Sequence, residues 1–597
     1  MSHCLQAASL SRYLTACLFA FASFDLLFFS LRSLRQRFHQ QKSPYKGYFL
    51  LSERQGSDLE AASYPLYFTS ILGRARSSDL RLTDRAVHRR HAQIYYYSGR
   101  WYLAPLSPTA SLFLNQKEVH SKVKLKNGDR IDLPGHSFVF VDERESALLQ
   151  GVDFEATWTE EASFAAEQSP WPRKAFICYI LWYLLQVFQA FAVMYPENPA
   201  LALQYALYAA VFFVLILILR FLLSRLLSNF DQIIYAALAF LSSLGLLFQM
   251  RLSILNRGKP IDWTEQVWQQ FLEKDLLKQF MLPVAGLLLI PFLASFAAKS
   301  RWPERFAPVS VLLTPAFYLA TRVLGHDVAS TGAELWIPLP GGLTIQLTEF
   351  AKIAYLFVLA RFFMVQQNMK RQILFALWAA ANVLLILMLP DLGSLMILLP
   401  VTLIVYIVMT SEYLKGLILL GGAGGLFAFA WRFFPYVQRR LYGWLTLWTE
   451  VNAQNDQIIR GLQAMSRGRW FGVGFGAAEP RSIPLASSDM IFTFMTEELG
   501  LVISLSALVL FFVIWIRSAF AVLALRDGFS ASLILALSSC FLLEAAVVAG
   551  GSTGLIPLTG ATLPFIARGG SSMLAKWMMA GLLLGLWSRR EDEVGSE

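Results

Sequence analysis

One stretch of the sequence combines carboxylates with a polar loop that leads into an apolar helix. It runs from Ser482 to Gly500, with Asp489 at the boundary and Glu497 and Glu498 two turns further along. A positioned carboxylate can act as a general base that takes a proton from an attacking hydroxyl. A carboxylate at this place is also a common helix N-cap, favoured by the helix dipole. The residue type alone therefore leaves both interpretations open.

The composition indicates that the elements that position this stretch lie in a membrane. Of the 597 residues, 56% are hydrophobic and only 15% are charged, which is too apolar for a soluble protein of several domains. The Lys and Arg residues behind the net charge of +10 lie mostly beside apolar runs, so we attribute the charge to membrane topology and not to nucleic acid binding. The four cysteines form no C-x-x-C pair, so neither a disulfide framework nor a zinc site is predicted.

The apolar runs predict a multi-pass helical protein. Most are near the ~20 residues that a helix needs to cross a bilayer. Thirteen runs are present, near residues 13–31, 174–194, 201–223, 231–250, 276–298, 306–323, 349–366, 372–389, 391–410, 414–431, 494–517, 527–548 and 570–589.

A segment of different character follows the first apolar run. Short strand-like runs at 47–51, 66–71, 93–97, 101–103 and 138–141 alternate with turn signals such as Ser98-Gly99, which is the pattern of a β-sandwich. The segment contains the motifs Ile71-Leu72-Gly73-Arg74, Ser78-Asp79-Leu80, Val87-His88-Arg89-Arg90-His91-Ala92 and Leu125-Lys126-Asn127-Gly128-Asp129-Arg130-Ile131. With these motifs it resembles a forkhead-associated (FHA) domain over about 100 residues.

This resemblance implies a phosphothreonine-binding site formed by Arg74, His88 and Arg89, because arginines make charge-assisted hydrogen bonds to phosphate. His88 stands where the family usually has Ser, and Ala110-Ser111 where it has Asn-Gly. A phosphothreonine partner and a degenerate docking module therefore remain alternatives. His91 matches a structural histidine of the family, for which we expect internal hydrogen bonds.

Loop charges predict the orientation of the chain. Basic residues follow the first apolar run, so we expect a retained helix with an outside N-terminus and not a cleaved signal peptide. The FHA-like domain is then cytoplasmic, and most of the loops on its side carry Lys or Arg, as the positive-inside rule requires. The loop at 432–493, with Asp489, falls on the extracytoplasmic face.

The outer segments contain five ordered motifs over about 250 residues. They are Gln346-Leu347-Thr348-Glu349-Phe350-Ala351-Lys352, Pro390-Asp391-Leu392-Gly393-Ser394, the glycine-rich 457–476, Ser488-Asp489-Met490-Ile491-Phe492 with Glu497-Glu498-Leu499-Gly500, and 553–565 with Gly569-Gly570-Ser571-Ser572. Any one of these motifs is weak, but together they resemble the SEDS polymerases (shape, elongation, division and sporulation), the FtsW/RodA/SpoVE family. Leu347 replaces the usual Pro, Ala567-Arg568 stands where Ser-Tyr is common, and two spans at 174–223 precede the usual ten.

The predicted fold is thus a multi-pass α-helical membrane protein with an all-β FHA-like sandwich. The SEDS-type bundle has about ten core spans and two or three extra ones. The predicted organisation is a transmembrane helix and basic flank at 1–46, the sandwich at 47–142, an acidic linker at 143–173, two extra helices at 174–230, a SEDS-type core at 231–590 with the outer loop 432–493, and a cytoplasmic tail at 591–597.

The resemblance implies peptidoglycan glycosyltransfer, in which lipid II is polymerised at the outer face of a bacterial inner membrane and undecaprenyl diphosphate is released. A class B penicillin-binding protein is the implied transpeptidase partner. Asp489 is the candidate general base, since an inverting transfer needs no second catalytic carboxylate. Arg460 and Arg568 are candidate contacts to the diphosphate. No metal ligand or certain cofactor is predicted, and a divalent cation is left open.

Charges in the spans have a structural explanation beside the functional one. Glu349 and Lys352 share a helix face and must be paired or wet within the bilayer, so we expect them to pair with each other or with a neighbouring helix more than to bind substrate. Glu498 is a candidate for orienting the substrate or a partner helix. We expect Asp391 to cap its helix, and the glycines at 472, 474 and 476 to form a tight turn.

Two other functions fit the same sequence. A lipid II flippase of the same fold would move the lipid without polymerising it. A non-catalytic scaffold would recruit partners of the cell-wall machinery through the FHA-like domain. The sequence leaves the choice between division, elongation and sporulation open.

Overall fold

The computed structural model describes most of the two regions that the sequence separates. The described residues are 2–41, 48–53, 63–66, 69–74, 78–82, 84, 86–88, 91–97, 100–106, 111–119, 122–142, 173–194, 199–227, 230–255, 274–327, 334–339, 343–364, 369–410, 412–479, 482–524 and 528–592. The predicted linker at 143–173, apart from its last residue, and the candidate Arg89 lie outside them. The chain forms two compact units, Leu31–Glu167 and Met1–Ser30 with Gln168–Glu597.

The smaller unit contains two β-sheets. One has the strand order β2-β1-β11-β10-β7-β8 and the other β4-β3-β5-β6-β9, and the β3–β4 pair is parallel while the other pairings are antiparallel. The strands are β1 Tyr48–Glu53, β2 Ser63–Pro65, β3 Thr69–Gly73, β4 Leu80–Arg81, β5 Ala92–Tyr97, β6 Arg100–Pro105, β7 Phe113–Leu114, β8 Lys117–Glu118, β9 Val123–Lys124, β10 Arg130–Leu133 and β11 His136–Asp142.

Alternation of side chains along the strands builds the core of this unit. Phe138 and Phe140 of β11 are buried while Val139 between them is only half-buried, and Leu50 of β1 pairs with Phe140. The opposite sheet contributes Ile94 and Leu103, which are fully buried. Burial of every second side chain allows two sheets to pack face to face. The predicted β-sandwich is confirmed.

The larger unit is a helical bundle with a short hairpin of β12 Ile337–Leu339 and β13 Leu343–Ile345. Within the described residues, ten helices are long and apolar enough to cross a membrane. The helices are α1 Ser2–Gln41, α2 Arg173–Met194, α3 Pro199–Leu226, α4 Gln232–Leu255, α5 Lys274–Lys299, α6 Trp302–Leu324, α7 Leu347–Met364, α8 Met369–Met388, α9 Leu392–Thr410, α10 Tyr413–Phe433, α11 Pro435–Leu445, α12 Asp456–Gly468, α13 Ile491–Leu499, α14 Leu501–Ala524, α15 Gly528–Ser552 and α16 Gly570–Asp592.

The first two helices pack against each other and against α4 through aromatic side chains. The ring centroids of Phe19 and Trp182 lie 4.8 Å apart, and those of Tyr179 and Phe240 lie 4.6 Å apart in an edge-to-face arrangement. The Tyr179 hydroxyl is 2.8 Å from the Ser243 hydroxyl. Buried aromatic pairs of this kind stabilise packing beyond their area, provided that the phenol finds a polar partner. These contacts attach α1 and α2 to the bundle that starts at α4.

Close backbone approach joins α5 to α16. A Cβ atom added to Gly585 would lie 2.2 Å from the carbonyl oxygen of Ala294, so no larger residue fits without a shift of the two helices. Small residues at such crossings are how helices pack tightly in a membrane. By contrast, a Cβ atom added to Gly421 of α10 would meet no atom within 4 Å.

These two glycines give a matched test of the packing. Gly585→Ala should lower the thermal midpoint of the detergent-solubilised protein, because overpacking costs roughly 1–3 kcal/mol. Gly421→Ala should leave the midpoint unchanged or raise it, since alanine is the better helix former. Tryptophan fluorescence during heating measures both midpoints. Equal midpoints for the two variants would contradict the close approach of α5 and α16 at Gly585.

Candidate functional site

Asp489 lies in a tight turn that leads into α13. The backbone N–H groups of Ser488 and Met490 both donate to the carbonyl of Leu485 at 3.1 Å, and Leu485 has a φ of 52°. The N-cap of α13 is Met490, and no side chain caps the helix. Asp489 is therefore not the N-cap that its position in the sequence suggests, and its half-buried carboxylate is free for another role.

Two segments from elsewhere in the bundle hold this turn. The backbone N–H of Arg568 donates to the Ser487 carbonyl at 2.7 Å, and the Gln249 side-chain amide donates to the same oxygen at 3.3 Å. Gln249 also donates to the Ile566 carbonyl at 2.7 Å. The end of α4 and the last sequence motif thus fix the backbone beside Asp489.

A guanidinium lies across Gly560 from the Asp489 carboxylate. Arg440 of α11 donates from Nη1 to the Leu558 carbonyl at 3.0 Å. A Cβ atom added to Gly560 would lie 3.4 Å from Asp489 Oδ2 and 3.7 Å from Arg440 Nη2. The backbone at Gly560 therefore passes close to both charged groups. Its φ of 73° favours glycine at this position. The half-buried Arg440 is the cation that the sequence analysis missed.

The electrostatics of the site follow from this arrangement. Burial raises the pKa of Asp489, while a hydrogen bond to Ser488 and the positive charge of Arg440 lower it. Burial lowers the pKa of Arg440, and the carboxylates of Asp489 and Asp391 oppose that effect. Burial raises the pKa of Tyr436 to about 12, and its buried hydroxyl has no hydrogen-bond partner among the described residues.

The Pro390–Ser394 motif packs against the same region. Asp391 accepts hydrogen bonds from the Ser394 backbone at 3.0 Å and from the Ser394 hydroxyl at 2.5 Å, so it caps α9 as we expected. A Cβ atom added to Gly393 would lie 3.4 Å from the Thr559 carbonyl. Two motifs far apart in the sequence therefore meet where Gly560 approaches Asp489.

Glu498 holds the glycine-rich segment. Its carboxylate is fully buried, lies 3.2 Å from Arg251 Nε and accepts the Gly476 backbone N–H at 2.5 Å. Arg251 also donates to the Gly476 carbonyl at 2.8 Å. A Cβ atom added to Gly472, whose φ is 76°, would lie 2.2 Å from the Glu498 carbonyl. The glycines therefore form a tight turn against the end of α13, and Glu498 clamps it.

Four charges in the bundle interior form a closed, neutral quartet. Lys352 Nζ lies 2.8 Å from Glu349 and 2.9 Å from Glu544, and Lys576 Nζ lies 2.9 Å from Glu349 and 2.7 Å from Glu544. The pairing expected for Glu349 and Lys352 is thus present. Glu544 and Lys576 were missed, although each is the one charge inside its apolar run, away from the ends at 527–548 and 570–589, which was a readable signal.

The two candidate arginines differ in their surroundings. Arg568 has an exposed side chain in the segment that holds the Asp489 turn. Arg460 makes an exposed ion pair with Asp456 at 2.9 Å, one turn away on α12. Within the described residues, no group of three or more His, Cys, Asp or Glu residues is arranged to hold a metal ion.

In the β-sandwich, Arg74 directly follows β3 with an exposed side chain, and its backbone N–H donates to the His88 carbonyl at 3.0 Å. His91 is buried, accepts the His88 backbone N–H at Nδ1 and lies 3.0 Å from the Ser111 carbonyl through Nε2. Burial lowers the pKa of His91. Its predicted structural role is confirmed, while His88 and Arg74 remain beside each other at the candidate phosphate site.

Comparison with known proteins gives matches in both units. The sequence profile of the FtsW/RodA/SpoVE family, described as "Cell cycle protein", matches residues 231–591. The profile of the FHA domain matches residues 70–134.

Individual relatives agree with these profiles. The peptidoglycan glycosyltransferase RodA of Mycobacterium bovis is 28% identical over 374 residues, which cover 59% of this chain and 77% of that protein. The probable peptidoglycan glycosyltransferase FtsW of Pseudoalteromonas translucida is 31% identical over 320 residues, covering 49% of this chain and 75% of that protein. A solved structure described as "Structural coordination of polymerization and crosslinking by a peptidoglycan synthase complex" has a chain that is 21% identical and aligns with a TM-score of 0.48, covering 62% of this chain and 99% of its own length.

The quartet generates a stability test. Lys576→Met should lower stability by roughly 3–5 kcal/mol, because it leaves an uncompensated buried carboxylate. The double variant Glu544→Gln with Lys576→Met should be less destabilised than the single one, since it retains the neutral Glu349–Lys352 pair. Thermal unfolding in detergent measures both.

A surface pair provides the control for this test. Lys415 and Glu412 are 2.9 Å apart with side chains that are 41% exposed, so Lys415→Met should change stability by less than about 1 kcal/mol. A double variant as unstable as Lys576→Met would contradict the charge-balance explanation.

Proposed function

Because this chain belongs to the FtsW/RodA/SpoVE family, it is a peptidoglycan glycosyltransferase, and we propose that its site polymerises lipid II with release of undecaprenyl diphosphate. Relatives with the same motifs carry the names peptidoglycan glycosyltransferase and stage V sporulation protein E. The observation that carries the proposal is the half-buried Asp489 carboxylate, which caps no helix and faces Gly560 and Arg440.

In the proposed reaction, Asp489 accepts the proton of the 4-hydroxyl of an acceptor GlcNAc. The hydroxyl oxygen attacks C1 of the donor MurNAc, the bond from C1 to the phosphate oxygen breaks, and its electron pair leaves with undecaprenyl diphosphate. A single displacement inverts C1, so one carboxylate suffices as the base. The hydrogen-bonded turn at Leu485 holds the backbone on both sides of Asp489, which favours a positioned proton transfer.

Charge develops on the diphosphate as it leaves, and cations stabilise it. Arg568 is our candidate for this contact, because its side chain is exposed while its backbone holds the Asp489 turn. Arg460 is the second candidate, although Asp456 already compensates its charge. We assign Glu349, Lys352 and Glu498 to positioning of the helices and the glycine-rich segment, since their charges are satisfied within the bundle.

The proposal places the β-sandwich in the cytoplasm and the loop at 432–493 outside the inner membrane of a bacterium. The support is the excess of Lys and Arg in the loops on the β-sandwich side. A class B penicillin-binding protein that cross-links the new glycan is the partner implied by the family resemblance. The biological setting is growth of the cell wall during division, elongation or sporulation.

The FHA domain is proposed to bind a phosphothreonine partner and so to couple wall synthesis to kinase signalling. Arg74 supports this role, because its guanidinium is exposed at the end of β3 next to His88. A charge-assisted hydrogen bond to a phosphate oxygen is the chemistry that such a position offers.

Asp489→Asn tests the enzymatic proposal. The purified variant should polymerise lipid II at least roughly 10²-fold more slowly than the wild type, the usual contribution of a positioned base. Glu479→Gln is the matched control, because Glu479 is an exposed carboxylate in the same loop, and it should retain activity. Glycan chains separated on a gel report both results.

Two outcomes would favour the alternatives. A flippase would move labelled lipid II across a liposome bilayer, leave it unpolymerised and tolerate Asp489→Asn. A scaffold would show no polymerisation in any variant, and in cells Arg74→Ala would be more harmful than Asp489→Asn.

Arg74→Ala tests the FHA domain in the full-length protein. Its affinity for phosphothreonine peptides should fall at least tenfold, since a charge-assisted hydrogen bond contributes roughly 1.5–3 kcal/mol. Lys117→Ala removes an exposed positive charge from β8 of the same unit and should bind like the wild type. Fluorescence anisotropy with phosphorylated and unphosphorylated peptides measures this, and unchanged binding by Arg74→Ala would exclude the predicted site.

A further inference from the structure

Arg440 is anchored more firmly than a solvent-facing arginine. It lies on α11, a short amphipathic helix outside the bundle's spans, with a half-buried side chain. Its Nη1 group is fixed on the Leu558 carbonyl at 3.0 Å, so the guanidinium is held by the segment that contains Gly560. The fork geometry of arginine leaves its other N–H groups free to point elsewhere.

The backbone at Gly560 lies close to both this guanidinium and the proposed base. One added carbon at Gly560 would contact both Asp489 Oδ2, at 3.4 Å, and Arg440 Nη2, at 3.7 Å. The residue that separates the two charges is therefore one without a side chain. A Cβ atom at 560 would make ordinary van der Waals contacts with both groups, but any side chain there would be strained at a φ of 73°.

Resting on the proposed function, we propose that Arg440 is a positioning residue that keeps the Asp489 carboxylate ionised, while the Leu558 carbonyl holds its guanidinium beside Gly560. Asp489 can accept a proton only when it is ionised. Partial burial disfavours that state, and a fixed positive charge nearby favours it. Arg440 acts through Asp489 in this proposal and needs no contact with the reacting atoms.

Other charged and titratable groups face the same guanidinium and must be included. Asp391 at the start of α9 and Asp489 favour its charged form, as does Tyr436 one turn earlier on α11, while Arg439 disfavours it. On the Asp489 side, the groups that act on the carboxylate are the Ser488 hydroxyl and Arg440. Asp391 is already satisfied by Ser394. The guanidinium is thus the group that links the two carboxylates.

The sign of the effect follows from the role of Asp489. Activity falls as the pH drops through the pKa of the base, because the protonated carboxyl accepts no proton. Removal of the Arg440 charge takes away an influence that lowers this pKa. The acid limb of the profile must therefore move to higher pH when the charge is lost, and it must stay in place when the charge is kept.

Three variants of the full-length protein test the proposal by kcat/KM for lipid II polymerisation as a function of pH. Arg440→Gln should shift the acid limb to higher pH, so that its fold-loss relative to wild type is larger at pH 6 than at pH 8. Arg440→Lys should keep the limb near its wild-type position, even with a lower plateau. Arg439→Gln, the exposed neighbour on the same helix, should leave the limb and the plateau unchanged.

A second readout covers a variant that is too inactive for kinetics. Carbodiimide modifies a protonated carboxyl, so the extent of Asp489 labelling measured by mass spectrometry should rise at a higher pH in Arg440→Gln than in wild type. An equal fold-loss at every pH together with an unchanged labelling midpoint would overturn the proposal and leave Arg440 a structural or phosphate-binding residue. Absence of polymerisation by the wild type would instead refute the proposed function, while the labelling midpoint would still report on Arg440.

Discussion

The high free energy of an uncompensated charge in a membrane interior governs the arrangement of this bundle. The side chains of Glu349, Lys352, Glu544 and Lys576 are at most 8% exposed, and each contacts two charges of opposite sign. A group in such an environment must find a partner or force the helices apart. The quartet joins α7, α15 and α16. These three helices must therefore pack together for the four charges to be compensated.

The same requirement acts at the edge of the bundle, where it shapes the candidate site. Glu498 is buried with Arg251, and the pair also binds both backbone groups of Gly476. This places the glycine-rich segment against the end of α13, while Gln249, two residues before Arg251 on α4, holds the carbonyl of Ser487. One helix therefore supports both sides of the segment that carries Asp489. The Asp489 carboxylate can remain half-buried without capping a helix because other groups hold the backbone around it.

Helices α1 and α3 lie before the region that matches the family, yet they contact its glycine-rich segment and the residues that hold it. The ring of Tyr13 on α1 packs edge-on against Phe471 at 4.8 Å, directly before Gly472. Tyr205 of α3 is fully buried and near enough to Glu498 and Arg251 for their charges to act on it. The added helices therefore pack against the clamp that orders the glycine-rich segment. They are part of the same packed unit as the family core.

The amino-acid sequence by itself determined the class of protein and most of its elements. Runs of apolar residues locate membrane helices because burial in lipid needs about 20 of them, and alternation located the strands of the sandwich because side chains change faces at each residue. Ordered motifs were sufficient to identify the family and to single out Asp489. All of these signals are local, so they can be recognised without knowing which other segments each one contacts.

Only the tertiary structure decided which distant residues meet. The sequence left open whether Asp489 caps a helix, and the structure places Met490 at the N-cap because the turn closes on Leu485. Arg440 and Gly560 are 120 residues apart in the numbering and gave no joint signal, although they converge on one carboxylate. Lys576 and Glu544 complete a quartet with Glu349 and Lys352. The sequence showed only the latter two, as a pair on one helix face. Periodicity shows which face of a helix is buried, but the partner across that face is set by how whole helices pack, and no local pattern encodes it.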